Sequence, residues 1–464
     1  MRKYGNRYLI AGIISFQFIL CSCKKFIDIG LPNNQIQSKK VFADDSTATS
    51  ALMGLYSEMM RSTLHLTNGG LSLYVGLSSD EITNTSSSSS IDPITTNSIS
   101  SDNSIVNGNF WSPAYNKIYT ANAILEGLTN STSLSDSVKN TIEGETKVIR
   151  SLYLFFLVNL FGDVPMTLHT NYQTNSIMPR SPSQQVYDQI ISDLKDAELI
   201  LKSNYPSTGR ARINKWTASA FLARVYLYRG DWVNAETKAA LVINSGIYSL
   251  VSNLDNVFVS TSNEIIWQMP PVPSLNNTSE GGSFIPSSTT VKPAYALTPY
   301  LINAFEAGDQ RKTKWIKSNT ISTPAPPTIY SYPYKYKIRT GGAATENNVV
   351  MRLSEMYLIR AEARAQQNNI PGSQTDLNIV RTRASLPNTP ANNQATLLSA
   401  VEHERQTELF TELGHRWLDL KRTNRANAVL GIEKAPYWQS DDALYPIPFA
   451  QIERNPFLVQ NPGY

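Results

Sequence analysis

The sequence predicts an all-α fold: a tetratricopeptide-like helical superhelix serving as scaffold, with a large, loop-rich, irregular half attached to it. Three observations predict it. Apolar residues recur at helical spacing through most of the chain. Two stretches carry residues at the offsets of a tetratricopeptide repeat. In Trp216 to Ile243 these are Leu222, Ala223, Tyr226, Gly230, Ala235, Ala239 and Val242; in the more degenerate Leu358 to Val380 they are Ala361, Ser373, Leu377 and Val380, with Asn368 and Asn369 near the turn. The two copies are separated by a segment, about 250–347, too rich in Pro, Gly and Tyr to hold further repeats, so the scaffold carries an insertion.

In chain order, Arg2, Lys3 and Arg7 precede an apolar run from Tyr8 to Leu20, which reads as an export signal and falls short of the ~20 residues that span a membrane. Leu20-Cys21-Ser22-Cys23 resembles a bacterial lipobox. This divides the chain into a signal at 1–22, an acylated tether at 23–45 beginning on Cys23, and a body at 46–464. Cys21 and Cys23 are the two cysteines of the chain, so the mature body is expected to have no disulfide. The formal charge of +4 includes the three basic residues of the signal, leaving the mature chain near neutral. With no basic run longer than two residues, nothing points to nucleic acid.

The body opens with a helix over Ser46 to Arg61, with Ala48, Leu52, Leu55 and Met59 on one face and Asp44, Asp45 or Ser46 as cap. Residues 67–109, with Ser and Thr from Asn84 to Ser90 and polar residues from Ser98 to Asn109, read as an elaborated surface loop. Helical periodicity resumes at Trp111. It continues in Glu143 to Leu160, which stops at Gly162 and Pro165, and after Ser181-Pro182, where Val186, Ile190, Leu194 and Ala197 share a face. Scaffold helices are thus placed at about 111–250 and 348–425, and ligand-side loops at about 67–110 and 250–347.

Within the insertion Tyr330, Tyr332, Tyr334 and Tyr336 alternate, so an extended strand puts all four on one face, either packed on the body or open to a ligand ring. After it, Leu353, Tyr357, Ala361 and Ala365 form a close-packing helix row. Glu404, Glu408 and Glu412 form another row, which needs basic partners; Arg405, Arg416, Lys421 and Arg422 are the nearest in sequence.

Catalytic signatures are missing. The histidines are His65, His169, His403 and His415, none in a nucleophile-elbow setting, and His403-Glu404 lacks the second histidine of a zinc-hydrolase motif because position 407 is Thr. Two unmarked carboxylates could still make a glycosidase. Asp80-Glu81, ahead of the Ser-rich loop, is the carboxylate pair in a ligand-like setting and is better read as a binding or calcium-type oxygen donor than as an acid/base pair.

Glu355-Met-Tyr-Leu-Ile-Arg-Ala-Glu-Ala-Arg-Ala365, the Glu404 to Arg422 segment, Leu444-Tyr-Pro-Ile-Pro448 and the Asn455 to Tyr464 ending together resemble the C-terminal signature of the SusD/RagB family, lipid-anchored nutrient-binding proteins of Bacteroidetes. The resemblance implies a non-enzymatic receptor without cofactor. It would be anchored to the outer membrane on the extracellular side, capture oligosaccharide and deliver it to a SusC-like TonB-dependent transporter. By position in the two loop regions the ligand-binding candidates are Tyr74, Asp80, Asn109, Phe110, Trp267, Tyr295, Trp315, Tyr330 and Tyr332. No Trp occurs between Cys23 and Phe110, which argues against a starch site. A surface-anchored glycoside hydrolase and a protein-interaction scaffold are the competing readings.

Overall fold

Asp44 starts the first long helix as the sequence predicts: its side chain accepts the Ser46 and Thr47 N–H groups, each at 2.9 Å, and caps α1 (Asp45–Met60). The computed structural model describes residues 38–272 and 277–464; the lipobox with Cys23 lies outside the described residues. The other α-helices of eight residues or more are α2 (Ser112–Thr129), α3 (Asp136–Phe161), α4 (Ser183–Ile200), α5 (Lys215–Arg229), α6 (Trp232–Ile243), α7 (Leu353–Gln366), α8 (Ile370–Arg383), α9 (Gln394–Glu408), α10 (His415–Arg422) and α11 (Ala426–Glu433).

Both predicted helix–turn–helix units form. Asn214 caps α5 in a capping box with Thr217, Gly230 ends it in the left-handed conformation at φ 69°, and Asp231 caps α6. In the second unit Asn368 takes the left-handed position, φ 59°, and Asn369 caps α8. The small-residue row of α7 allows close approach: Ser373 Oγ on α8 donates to the Ala361 carbonyl of α7 at 2.8 Å. Successive helices from α2 to α8 pack side by side, and α6 lies directly against α7, so the superhelix runs on as if residues 244–352 were absent.

That continuity is possible because the insertion is closed at its base. Strand β2 (Ile265–Met269) pairs antiparallel with β6 (Asn348–Arg352), every residue of both strands is buried, and the pairing brings the two ends of the insertion together under α5. Beyond this clasp, β1 (Ile82–Asn84) pairs with β3 (Tyr295–Leu297) and β4 (Ile316–Ile321) with β5 (Thr328–Pro333), both antiparallel. The region read as loops therefore contains three small ladders.

Two expectations are corrected. Residues 67–81 are core, not surface loop: Leu66–Val75 is a wide-turned, π-helical segment with all ten residues buried, kinked at Asn68 and Gly69. Its polar side chains are satisfied internally. Asn68 Nδ2 donates to the Met60 carbonyl at 2.9 Å, Ser72 Oγ donates to Glu280 at 3.0 Å, and Thr67 Oγ1 lies 3.1 Å from the Tyr153 hydroxyl. Gly70 fits here because a Cβ would stand 2.5 Å from the Leu64 carbonyl oxygen. The Glu404 to Arg422 stretch, secondly, is not one helix. It breaks between α9 and α10 in a turn with positive φ at Thr411 (53°), Leu413 (45°) and Gly414 (71°), which sets Glu412 beside Glu408 around a common partner.

Candidate functional site

The charge-dense C-terminal signature is a buried framework. Arg352, at the end of β6, reaches Glu264 at 2.9 Å and Glu412 at 2.8 Å and also pairs with Glu408. Glu404 and Glu408 share Arg311, at 2.6 and 3.0 Å, while Arg383 and Lys335 complete the shells of Glu408 and Glu412. The row of glutamates is thus neutralised from the insertion and α8, not by its sequence neighbours. Arg405 and Arg422 instead hold Asp419, each at 2.7 Å, Arg422 also pairs with Glu362, and Lys421 donates to the Asn159 carbonyl. Arg416 takes both oxygens of Asp80.

This framework sets the acid response. Burial works to raise Glu355, but the Arg224 guanidinium 2.6 Å away overrides it and brings the carboxyl down to about 2. Asp419, Glu408 and Glu412 are held below the usual carboxylate range against the same burial by their guanidinium partners. Glu81 goes the other way: burial beside Asp80 pushes it up to about 8, so above about pH 4.5 it opposes the others. Burial raises Glu145, Glu280 and Glu346 as well, but below pH 4.5 each can regain only about 0.4 kcal/mol, so the lowered carboxylates set the sign. The unfolded chain takes up protons before the folded one, and stability is lost as pH falls from about 4.5 towards 2, with about 3 kcal/mol from Glu355 alone. Urea midpoints at pH 5, 4 and 3 should decline steadily; a flat series would contradict the pairing.

Six of the nine predicted ligand residues are interior. Trp267 is fully buried in the clasp strand β2. Trp315 is fully buried, with Nε1 donating to the Leu254 carbonyl at 2.9 Å and its ring against Phe258. Phe110 sits edge-on between Tyr74 and Tyr445, each centroid at 5.9 Å. Tyr74 is buried with it, which raises its hydroxyl to about 12, and Tyr332 is buried at the end of β5. Both oxygens of Asp80 are spent on Arg416, so the oxygen-donor reading of Asp80-Glu81 falls as well. None of these six can present a face to an oligosaccharide. The tyrosine alternation likewise stops at Pro333, and Tyr336 lies in the core against Phe258.

Asn109, Tyr295 and Tyr330 remain accessible. Asn109 Nδ2 is committed to the Leu64 carbonyl at 3.0 Å. Tyr295 and Tyr330 lie on strands that pack against each other, β3 and β5. The Lys292 ammonium stands 5.8 Å from the Tyr330 ring centroid, and Asn319 pairs with Tyr330 across the β4–β5 hairpin. Four residues after Tyr330, Tyr334 lies between Lys317, 3.9 Å from its centroid, and Lys337, at 4.4 Å, on a cleft of about 350 Å³ that also includes Asp255 and Lys314. The sequence reading missed these lysines; Lys317 reaches Tyr334 through the β4–β5 register, which local spacing does not give. A loop face with half-exposed rings ringed by donors can stack on the CH face of a sugar and bond to its hydroxyls.

The chain is similar to known proteins along most of its length. Residues 31–227 match a family model described as SusD-like, starch-binding associating with outer membrane, and residues 304–464 match the SusD family model. SusD-like protein P25 of Formosa agariphila is 24% identical, covering 98% of this chain and 99% of its own; SusD-like protein P2 of the same organism is 28% identical over 78% and 81%. Among solved structures, a SusD superfamily protein of Bacteroides vulgatus superposes with a TM-score of 0.81 at 20% identity, covering 91% of this chain and 100% of its own. A laminarin-binding SusD-like protein superposes with a TM-score of 0.76 at 25% identity, with the same coverage. With both halves of the chain matched and the same helical scaffold found in the solved relatives, the chain belongs to the SusD/RagB family.

Proposed function

We propose that this protein is a lipid-anchored receptor on the outer membrane that captures oligosaccharides on the Tyr295–Tyr330–Tyr334 face and passes them to a TonB-dependent transporter. Glycan binding at the coarse level is supported by the family match and by the laminarin-binding relative. The observation that carries the choice of face is the sorting of aromatics in the insertion: Trp267, Trp315, Tyr332 and Tyr336 are buried, whereas Tyr295, Tyr330 and Tyr334 keep part of their rings in solvent. The carboxylates around Arg352 are closed off by guanidinium groups, which favours binding over hydrolysis as the role of this chain. Attachment is by acylation of Cys23, the last residue of the lipobox-like Leu20-Cys21-Ser22-Cys23.

Affinity purification of the native protein in mild detergent tests the delivery step. A co-purifying outer-membrane barrel protein of transporter size is expected, and recovery of the receptor alone would overturn that step. Incubation with the captured glycan should release no new reducing ends; release would favour a hydrolase.

A further inference from the structure

We infer that the protein has a second oligosaccharide site, a groove between α2, the segment before α4 and the C-terminal turn, suited to neutral hexose chains. The inference rests on the glycan reading above but not on the loop face. The groove has a volume of about 670 Å³, within the ~300–1,000 Å³ of ordinary ligand sites. Tyr119 on α2 and Tyr172 on the short helix Tyr172–Asn175 line it and are 53% and 80% exposed. Rings left this open are not structural, whereas Tyr115, one turn before Tyr119, is tied down by donating to the Pro165 carbonyl at 2.9 Å.

The polar lining points the same way. Asn116, Asn175 and Gln451 supply amides, and Arg454 supplies a guanidinium that forms no ion pair among the described residues. Asn175 Nδ2 donates to the His169 carbonyl at 2.6 Å, but its Oδ1 is buried with no hydrogen-bond partner. The side chains of Asn116 and Arg454, which form no hydrogen bond among the described residues, are the groups in the groove that can serve sugar hydroxyls. No carboxylate lines the groove, so nothing there selects a cation. Two exposed rings and polar side chains lining one groove fit a chain of pyranose units, whose apolar faces stack while the equatorial hydroxyls bond.

The test is a calorimetric titration of the full mature protein, detergent-solubilised, with malto-, cello-, laminari- and mannohexaose. The variants are the double change Tyr119→Ala/Tyr172→Ala, Asn175→Leu, and Tyr330→Ala as a control at the loop face. At least one hexasaccharide should bind, lose tenfold or more in affinity on the double change, and keep a residual binding phase in Tyr330→Ala. Unchanged affinity in both groove variants overturns the inference. If all binding disappears with Tyr330→Ala alone, the inference falls and the loop face stands; if only the groove variants matter, the loop face falls and the inference stands. Failure of all four sugars to bind overturns it too. So does a double variant that binds sugar normally but no longer co-purifies a barrel protein, which would mark the groove as a protein contact.

Discussion

Arg352→Met should lower the unfolding free energy by about 3–5 kcal/mol, the cost typical of removing one partner from a buried ion pair. Arg352 is 1% exposed and holds Glu264, Glu408 and Glu412 at once, while the Arg352 Nη2 also donates to the Glu408 carbonyl at 2.8 Å. Methionine restores much of the volume and none of the charge. Three carboxylates would then share Arg311, Arg383 and Lys335, and Lys335 is itself pulled down to about 8 by burial against the pull of Glu412. Removing the whole cluster for apolar residues is a different experiment and can be neutral, because desolvation of the ions offsets their attraction. Urea unfolding at pH 7 should show the loss, and a change below about 1 kcal/mol would mean that the cluster relaxes around the gap.

Trp315→Ala should be as costly, about 3–5 kcal/mol, the range for truncating a large core aromatic. Its ring roofs the same cluster: Lys335 lies 4.9 Å from the centroid, with the guanidinium carbons of Arg383 at 5.7 Å and Arg352 at 5.9 Å. Truncation removes the stacking, takes the indole donor from the Leu254 carbonyl and opens a space beside buried charge. Tyr330→Ala, at a half-exposed strand position, should cost under about 1 kcal/mol of stability while weakening glycan capture by about 1 kcal/mol. The two variants separate frame from site. Thermal or urea unfolding set beside binding per folded molecule distinguishes them, and equal stability losses would contradict the assignment.

The helical half of this fold is written locally. Asp44, Asn214, Gly230 and Asn369 cap or end helices where their side chains and φ values require, and the Ala-rich row of α7 announces its close partner. The loop-rich half is not written that way. Residues 67–81 look too polar for core, yet Asn68, Ser72 and Thr67 find partners near and far along the chain, as Ser72 does in Glu280. The glutamate row announced an ion network, but the partners arrive from Arg311, Lys335, Arg352 and Arg383, which no helical spacing relates to Glu408. Aromatic content does not say which rings are free, because Trp267 and Trp315 serve a core as well as they would serve a sugar. Only the register of β4 with β5 and the packing of β3 decide which rings face solvent.

The central claim, glycan capture on the loop face, is tested most directly by titrating the mature protein with a glycan panel and repeating the titration with Tyr330→Ala and Tyr334→Ala. At least one glycan should bind, and each change should reduce affinity about fivefold or more, corresponding to about 1 kcal/mol per ring. A glycan that binds both variants as tightly as the unchanged protein would place capture elsewhere and contradict the claim.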